Sequence, residues 1–172
     1  ANNFEYYSPT RVVFCKETQK RNSFRVTGKN KNYFITGEAH IAELGGVVPN
    51  PHLEKVYEGI QIGKREQIDF LLAIGGGSAI DTAKAIAYGL AEPEKDVWEL
   101  YEHTRTAKKC LPVASILTIS AAGSETSKGS VITNEKTHAK RAYDDNLARP
   151  KFAIMNPELT KTLSDYQTES GC

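Results

Sequence analysis

The stretch from Phe70 to Ala91 constrains the fold of this chain more than any other. It opens with Phe70-Leu71-Leu72-Ala73-Ile74, an unbroken apolar run of strand length, which suits a parallel strand covered by helices on both faces. Gly75-Gly76-Gly77-Ser78 follows directly. After it, AIDTAKAIAYGLA sets Ile80, Ala83, Lys84, Ala87 and Leu90 at helical spacing, and its alanines let a helix lie close on a sheet. The unit reads as strand, glycine turn, helix. Glycines at such a turn leave backbone amides open to a ligand without interference from a Cβ. A helix starting near Ser78 adds its positive dipole end and unpaired N–H groups, which together suit a phosphate or pyrophosphate. Asp81 is expected in the first helical turn, where its carboxylate would steady the helix end or orient the loop by accepting amide hydrogen bonds. The pattern is neither the GxGxxG dinucleotide fingerprint nor a Walker loop, and a plain tight turn is the competing explanation for the glycines.

The remaining segments alternate in the same manner. Thr10 to Phe14 (TRVVF) reads as an edge strand after the Ser8-Pro9 turn, and Asn32 to Thr36 (NYFIT) as a short strand with Gly37 turning the chain. Leu44 to Pro51 is rich in turn formers and reads as an extended loop. A helix follows with Leu53, Val56, Ile60 and Ile62 near one face, Asn50 as its cap and Pro51 at its first position. Val113 to Ile119 is a second buried-strand candidate, followed by the small-residue loop Ser120 to Ser127. Val131 to Thr133 and Lys151 to Met155 are further strands, separated by the charged segment NEKTHAKRAYDDN. Trp98 and Tyr101, at spacing i, i+3, read as packing residues. The expectation is an α/β fold, a Rossmann-like parallel sheet flanked by helices. With 172 residues it makes one domain over 1–172.

Composition narrows the partners. A net charge of +1 lacks the basic excess that binding to a nucleic-acid backbone draws on. Cys15, Cys110 and Cys172 have neither zinc-site spacing nor a disulfide pattern. No apolar run reaches the length of a membrane span and no signal pattern opens the chain, so the expected location is cytoplasmic. His40, His52, His103 and His138 stand singly, without i, i+4 spacing, and read as surface or loop residues.

Taken together, GGGSAIDTAKAIA, the upstream GGVVPNPHLEKVYEG, the downstream LTISAAGSETSKGSVITNEKTHAK and the opening FEYYSPTRVVF resemble the iron-containing alcohol dehydrogenase family, closest to its butanol-dehydrogenase-like members. The resemblance covers residues 1 to about 18 and about 43 to 172. It implies an N-terminal nucleotide-binding part that takes NAD or NADP. Gly76, Gly77 and Ser78 would meet the pyrophosphate, and Asp81 would support the turn or nearby nicotinamide-side groups. Thr118 would contact the cofactor from its strand end, Ser120, Ala122 and Ser127 would border the nicotinamide and ribose, and Lys140 would approach a ribose or phosphate, a solvated surface lysine being the competing explanation. Ala122 departs from the family's usual Thr. Residues 19–41 are too short for the family's strand, first glycine-serine loop, helix and strand, where the cue for NAD versus NADP lies. The family's iron, sometimes zinc, is held by an Asp and three His in an all-helical domain expected beyond Cys172, so neither catalytic nor metal-binding residues are expected here. A full-length relative would act on a small alcohol or aldehyde and form a homo-oligomer, with Thr10 to Phe14 as the natural contact. The alternative is a noncatalytic nucleotide-binding or assembly module. A third reading is a relative that uses the same turn on a phosphorylated polyol or a sugar acid phosphate.

Overall fold

Uniform apolar runs form the centre of the sheet. The computed structural model describes residues 11–17, 23–27, 32–36 and 39–160. Strands β1 (Arg11–Glu17), β2 (Ser23–Thr27), β3 (Asn32–Thr36) and β4 (Ala39–Leu44) precede helix α1 (Leu53–Arg65). Strand β5 (Phe70–Gly75), helix α2 (Gly77–Ala91), the short helix α3 (Trp98–Tyr101) and strand β6 (Val113–Leu117) come next. The chain continues through β7 (Gly129–Asn134), β8 (Ala139–Asp144) and β9 (Ala153–Met155). The main sheet has the order β4-β1-β5-β6-β9. β5, β6 and β9 run parallel, whereas β1 is antiparallel to both β4 and β5. The separate pairs β2-β3 and β7-β8 are antiparallel hairpins.

Helices α1 and α2 belong to one side of this sheet. Leu71 and Ala73 of β5 and Val113 and Leu117 of β6 join Val56, Ile60, Ile80, Ala83 and Ala87 in the larger apolar cluster. The alternate residues Leu72, Ile74, Ala114 and Ile116 form a second cluster with Leu159 on the opposite side. Burial on both faces is the reason β5 and β6 carry no polar alternation. Trp98 and Tyr101 stack with ring centres 5.6 Å apart, and the Tyr101 hydroxyl meets Ser130 Oγ at 2.7 Å. Both are packing residues, as their spacing suggests.

Several local expectations are corrected. The strand read from Thr10 to Phe14 is not an edge: β1 is paired on both sides, with β4 and β5, so it offers no free edge for a contact between copies. Thr10 and Gly37 lie outside the described residues. The charged segment after Asn134 is not all loop, because Ala139–Asp144 pairs with β7 as β8. The cap of α1 is His52, and Leu53 rather than Pro51 is the first helical residue. The cause is the backbone just before it. His52 bridges Thr133 in parallel, the Thr133 N–H donates to the Pro51 carbonyl at 2.8 Å, and Asn50 sits at φ 56°, a left-handed conformation that asparagine tolerates better than most residues. Residues 51 and 52 thus extend alongside β7 before the helix begins.

The two long helices meet through glycines. A Cβ on Gly59 would lie 2.3 Å from Ile86 Cδ1, one on Gly63 2.5 Å from Leu90 Cδ1, and one on Gly89 2.2 Å from Ile60 Cδ1. The branched side chains of each helix therefore occupy the space that glycine leaves on the other. Gly89→Val should lower stability by about 1–3 kcal/mol, the usual cost of overpacking, and trimming the opposing side chain in Ile60→Ala/Gly89→Val should recover part of it. Chemical denaturation of the parent, both single variants and the double variant checks this, since strictly additive losses would mean that the residues do not compete for one space.

Candidate functional site

The turn between β5 and α2 opens at the carboxyl end of two parallel strands. Gly75 pairs in register with Leu117, and the Thr118 N–H donates to the Gly75 carbonyl at 3.1 Å. The glycine turn and the loop after β6 therefore leave the sheet side by side, the place where open α/β sheets form ligand crevices. Gly76 caps α2, its carbonyl accepting from Ala79 N at 3.1 Å and Ile80 N at 3.2 Å. The Gly77 and Ser78 amides have no acceptor among the described residues, as expected of first-turn donors.

The two glycines differ in what surrounds them. A Cβ on Gly76 would stand 2.4 Å from Ile119 Cγ2, whereas one on Gly77 would find Ser124 Cβ no nearer than 3.8 Å. Packing excludes a side chain at Gly76. At Gly77 a Cβ would stand at ordinary contact distance from Ser124, so packing does not by itself exclude a side chain there.

Asp81 is the fifth residue of α2 and not in its first turn. It accepts no bond from the glycine turn's amides. Its Oδ1 accepts from Ser124 Oγ, and its Oδ2 accepts from the Val131 N–H at 2.9 Å, so it ties α2 to the start of β7. Burial raises its carboxyl above the ordinary aspartate range, against the pull of Ser124, Val131 and Lys84.

One turn further along, Lys84 has no exposed surface. Its Nζ donates to the carbonyls of Ser124 (2.8 Å), Ser127 (3.0 Å) and Gly129 (2.7 Å), with the Ser124 and Ser127 hydroxyls each at 3.3 Å. Ser124 Oγ therefore stands between Lys84 and Asp81. Within the loop, Gly123 at φ 72° turns the chain, and its carbonyl accepts from Thr126 N and Ser127 N. Arg149 Nη1 holds the Thr126 carbonyl from outside at 2.6 Å.

Of the residues singled out in the sequence, Gly76, Gly77, Ser78 and Thr118 gather at the mouth of the two strands. Thr118 is buried, and Ser120 and Ala122 are exposed on the following loop. Ser127 turns its carbonyl and hydroxyl to Lys84. Lys140 stands apart: it lies opposite Thr133 in the hairpin, about 7 Å along the strand from Val131 at ordinary strand rise. Its Nζ donates to Asn50 Oδ1 at 2.6 Å.

Lys84 and Asn50 escaped the sequence reading as site residues. Lys84 had a visible signal, a cation on the stripe shared by Ile80, Ala83 and Ala87 and one turn after an acid. Among the described residues no group of three or more His, Cys, Asp or Glu could hold a metal ion. His52 meets Glu135 at 3.2 Å, and His103 lies against Tyr143. No helix of the described residues is long and apolar enough to cross a membrane.

The family model described as iron-containing alcohol dehydrogenase matches residues 9–157. The probable NADH-dependent butanol dehydrogenase 2 of Bacillus subtilis is 40% identical over 190 residues, covering 98% of this chain and 48% of the relative. Since the alignment is longer than the 172 residues here, that relative carries residues this chain lacks. The NADPH-dependent aldehyde reductase YqhD of Escherichia coli is 31% identical, with 99% of this chain and 49% of the relative covered. The chain spans about half the length of these curated relatives. Among solved structures, the NADH-dependent butanol dehydrogenase A of Thermotoga maritima matches with a TM-score of 0.70 and 42% identity over 73% of this chain and 31% of that one. The sulfoacetaldehyde reductase of Bifidobacterium kashiwanohense in complex with NAD+ matches with a TM-score of 0.70 and 29% identity over 74% and 34%.

Burial lowers the Lys84 ammonium to about 8, against Asp81, Glu125 and Cys110, which favour the charge, and with Arg149, which opposes it. The unfolded chain holds this proton up to the ordinary lysine range. Between these values the unfolded state binds more protons, so the contribution of Lys84 to stability rises with pH from about 8 towards the ordinary lysine value. At about 1.4 kcal/mol per pKa unit the rise is a few kcal/mol at most. Urea denaturation of the parent and of Lys84→Met at neutral pH and near pH 10 should show a stability difference that shifts in favour of the parent at the higher pH. A difference independent of pH would mean that this lysine does not titrate below the others.

Proposed function

Because the chain belongs to the iron-containing alcohol dehydrogenase family, we propose that it is the nucleotide-binding part of an NAD(P)-dependent alcohol or aldehyde oxidoreductase. In this reading residues 1–172 form one nucleotide-binding domain, in which 19–41 depart from the family pattern. The observation that carries it is the glycine turn at the head of α2, whose Gly77 and Ser78 amides have no acceptor among the described residues. The names of the relatives, dependent on NADH or NADPH, support a dinucleotide as the anion.

The described residues fit the cofactor. The Gly77 and Ser78 amides, at the positive end of a fifteen-residue helix, bind the pyrophosphate by charge and by direct donation. Gly76 lets the turn pack on Ile119. Thr118, Ser120 and Ala122 line the nicotinamide side, and the loop that continues from them is tied to α2 by Asp81, through Ser124 and Val131, and by Ser127, through Lys84. Lys140, steadied by Asn50, adds a cation for a ribose or phosphate farther along the hairpin. The bound nicotinamide supplies the hydride acceptor for an alcohol or the hydride donor for an aldehyde. The described residues do not fit the family's metal, since no group of ligands is present among them, and no step through it is assigned to them.

Gly77→Val tests the cradle, because the new Cβ would meet Ser124 only at ordinary contact distance while adding bulk beside the amides assigned to phosphate. Titration calorimetry with NADH and NADPH should show affinity for at least one of them in the parent and a loss of at least about tenfold, or 1.4 kcal/mol, in the variant. The thermal midpoint should hardly move. Equal affinities would remove the phosphate cradle, and a parent that binds no dinucleotide would remove the functional reading.

A further inference from the structure

The lysine inside α2 has a role that packing does not explain. At this depth an apolar side chain of similar length would fill the same volume without the cost of burying a charge, as Ile80 and Ala87 do one turn to either side. Its three shortest contacts are to carbonyls of one loop, and both hydroxyls within reach belong to that loop as well. Three carbonyls turned towards a single ammonium define the course of residues 124–129. Asp81 fixes the same segment at both ends, through Ser124 Oγ and Val131 N. The loop so held is the wall that faces the glycine turn, and the Asp81 and Lys84 that hold it stand on the helix which that turn begins.

Resting on the cofactor reading above, we propose that Lys84 is a positioning residue for the dinucleotide: its ammonium sets the path of residues 124–129 so that loop and glycine turn open on one crevice. Without that charge the carbonyls lose their common partner and the loop takes other courses. The groups facing Lys84 are Asp81 on its own helix, Glu125 on the loop, Arg149 after β8 and Cys110 before β6. Deprotonation leaves the amine with two hydrogens for the three carbonyls, so the loop loosens in the pH range where Lys84 gives up its proton, about 8.

The test uses the full chain, the Lys84→Met variant and NADH, which keeps its charge across this range. Hydrogen exchange reads the loop without any cofactor, and calorimetry reads affinity from about pH 6.5 to 9.5. Lys84→Met should speed exchange at residues 124–131 while β5 and β6 stay protected, and should weaken NADH binding at least tenfold at neutral pH. The parent's affinity should fall as pH passes about 8 and the variant's should not. Parental affinity in the variant, or the same pH profile in both, overturns the proposal. Unchanged exchange at 124–131 overturns it as well, whatever NADH does. A parent that does not bind NADH or NADPH defeats the cofactor reading and the positioning role with it, while the exchange result still decides whether Lys84 sets the loop. If Lys84→Met does not fold, Ser124→Ala, which removes the hydroxyl between Lys84 and Asp81, carries both measurements, with a smaller loss of affinity expected and parental exchange and affinity overturning the proposal.

Discussion

An ammonium buried inside a helix has to be met by acceptors where it stands, because an unpaired charge at that depth would cost several kcal/mol. Lys84 is met by one loop, and that loop has its course dictated as a result. Where the ammonium stands is decided by how α2 sits on the sheet. The close approach of Gly59 to Ile86 and of Gly89 to Ile60 settles the distance between α1 and α2. The burial of Ile80, Ala83 and Ala87 among the residues of β5 and β6 settles the distance to the strands. The end of β5, the start of α2 and the loop after β6 therefore behave as one unit, tied by a helix that touches each.

What could be read in the sequence was whatever depends on local pattern. Phe70 to Ile74 and Val113 to Leu117 are apolar without interruption because both faces of those strands are covered, and the glycines between strand and helix announce the turn by composition alone. The position of β1 could not be read so. Its β-branched residues say strand, but nothing in them tells an interior antiparallel strand from an edge one. β8 was missed because only Tyr143 and the half-buried Ala139 turn inward, while Lys140, Arg141, Ala142 and Asp144 are exposed, so the alternation that marks a strand is absent. Asn50 before Pro51 carries the signature of a helix cap, yet asparagine is equally suited to the left-handed conformation it adopts.

The site divides along the same line. Gly76, Gly77 and Ser78 were visible because their role follows from lacking a side chain or from opening a helix. Lys84 was read as part of an apolar stripe, which its stem does join, but its partners are carbonyls, and a carbonyl has no letter in the sequence. The contact from Lys140 to Asn50 spans ninety residues. It depends on a hairpin and a loop meeting in space, which spacing along the chain does not encode.

These ties join the glycine turn to the loop after β6 without bonds from the strands that precede α1. Thr118 N on Gly75 O, Ile119 against Gly76, and Lys84 and Asp81 on the loop all join residues between Gly75 and Val131, with Arg149 and the paired strand β8 adding support from outside that span. β1 and β4 lie on the far side of β5, where they complete the sheet without touching that set of bonds. A change in the strands before α1 can thus alter the edge of the sheet while the glycine turn and the loop held by Lys84 keep their shape. The burial of Lys84 is a stability cost borne at the point where the course of residues 124–129 is set, a local rule of packing broken at the candidate site.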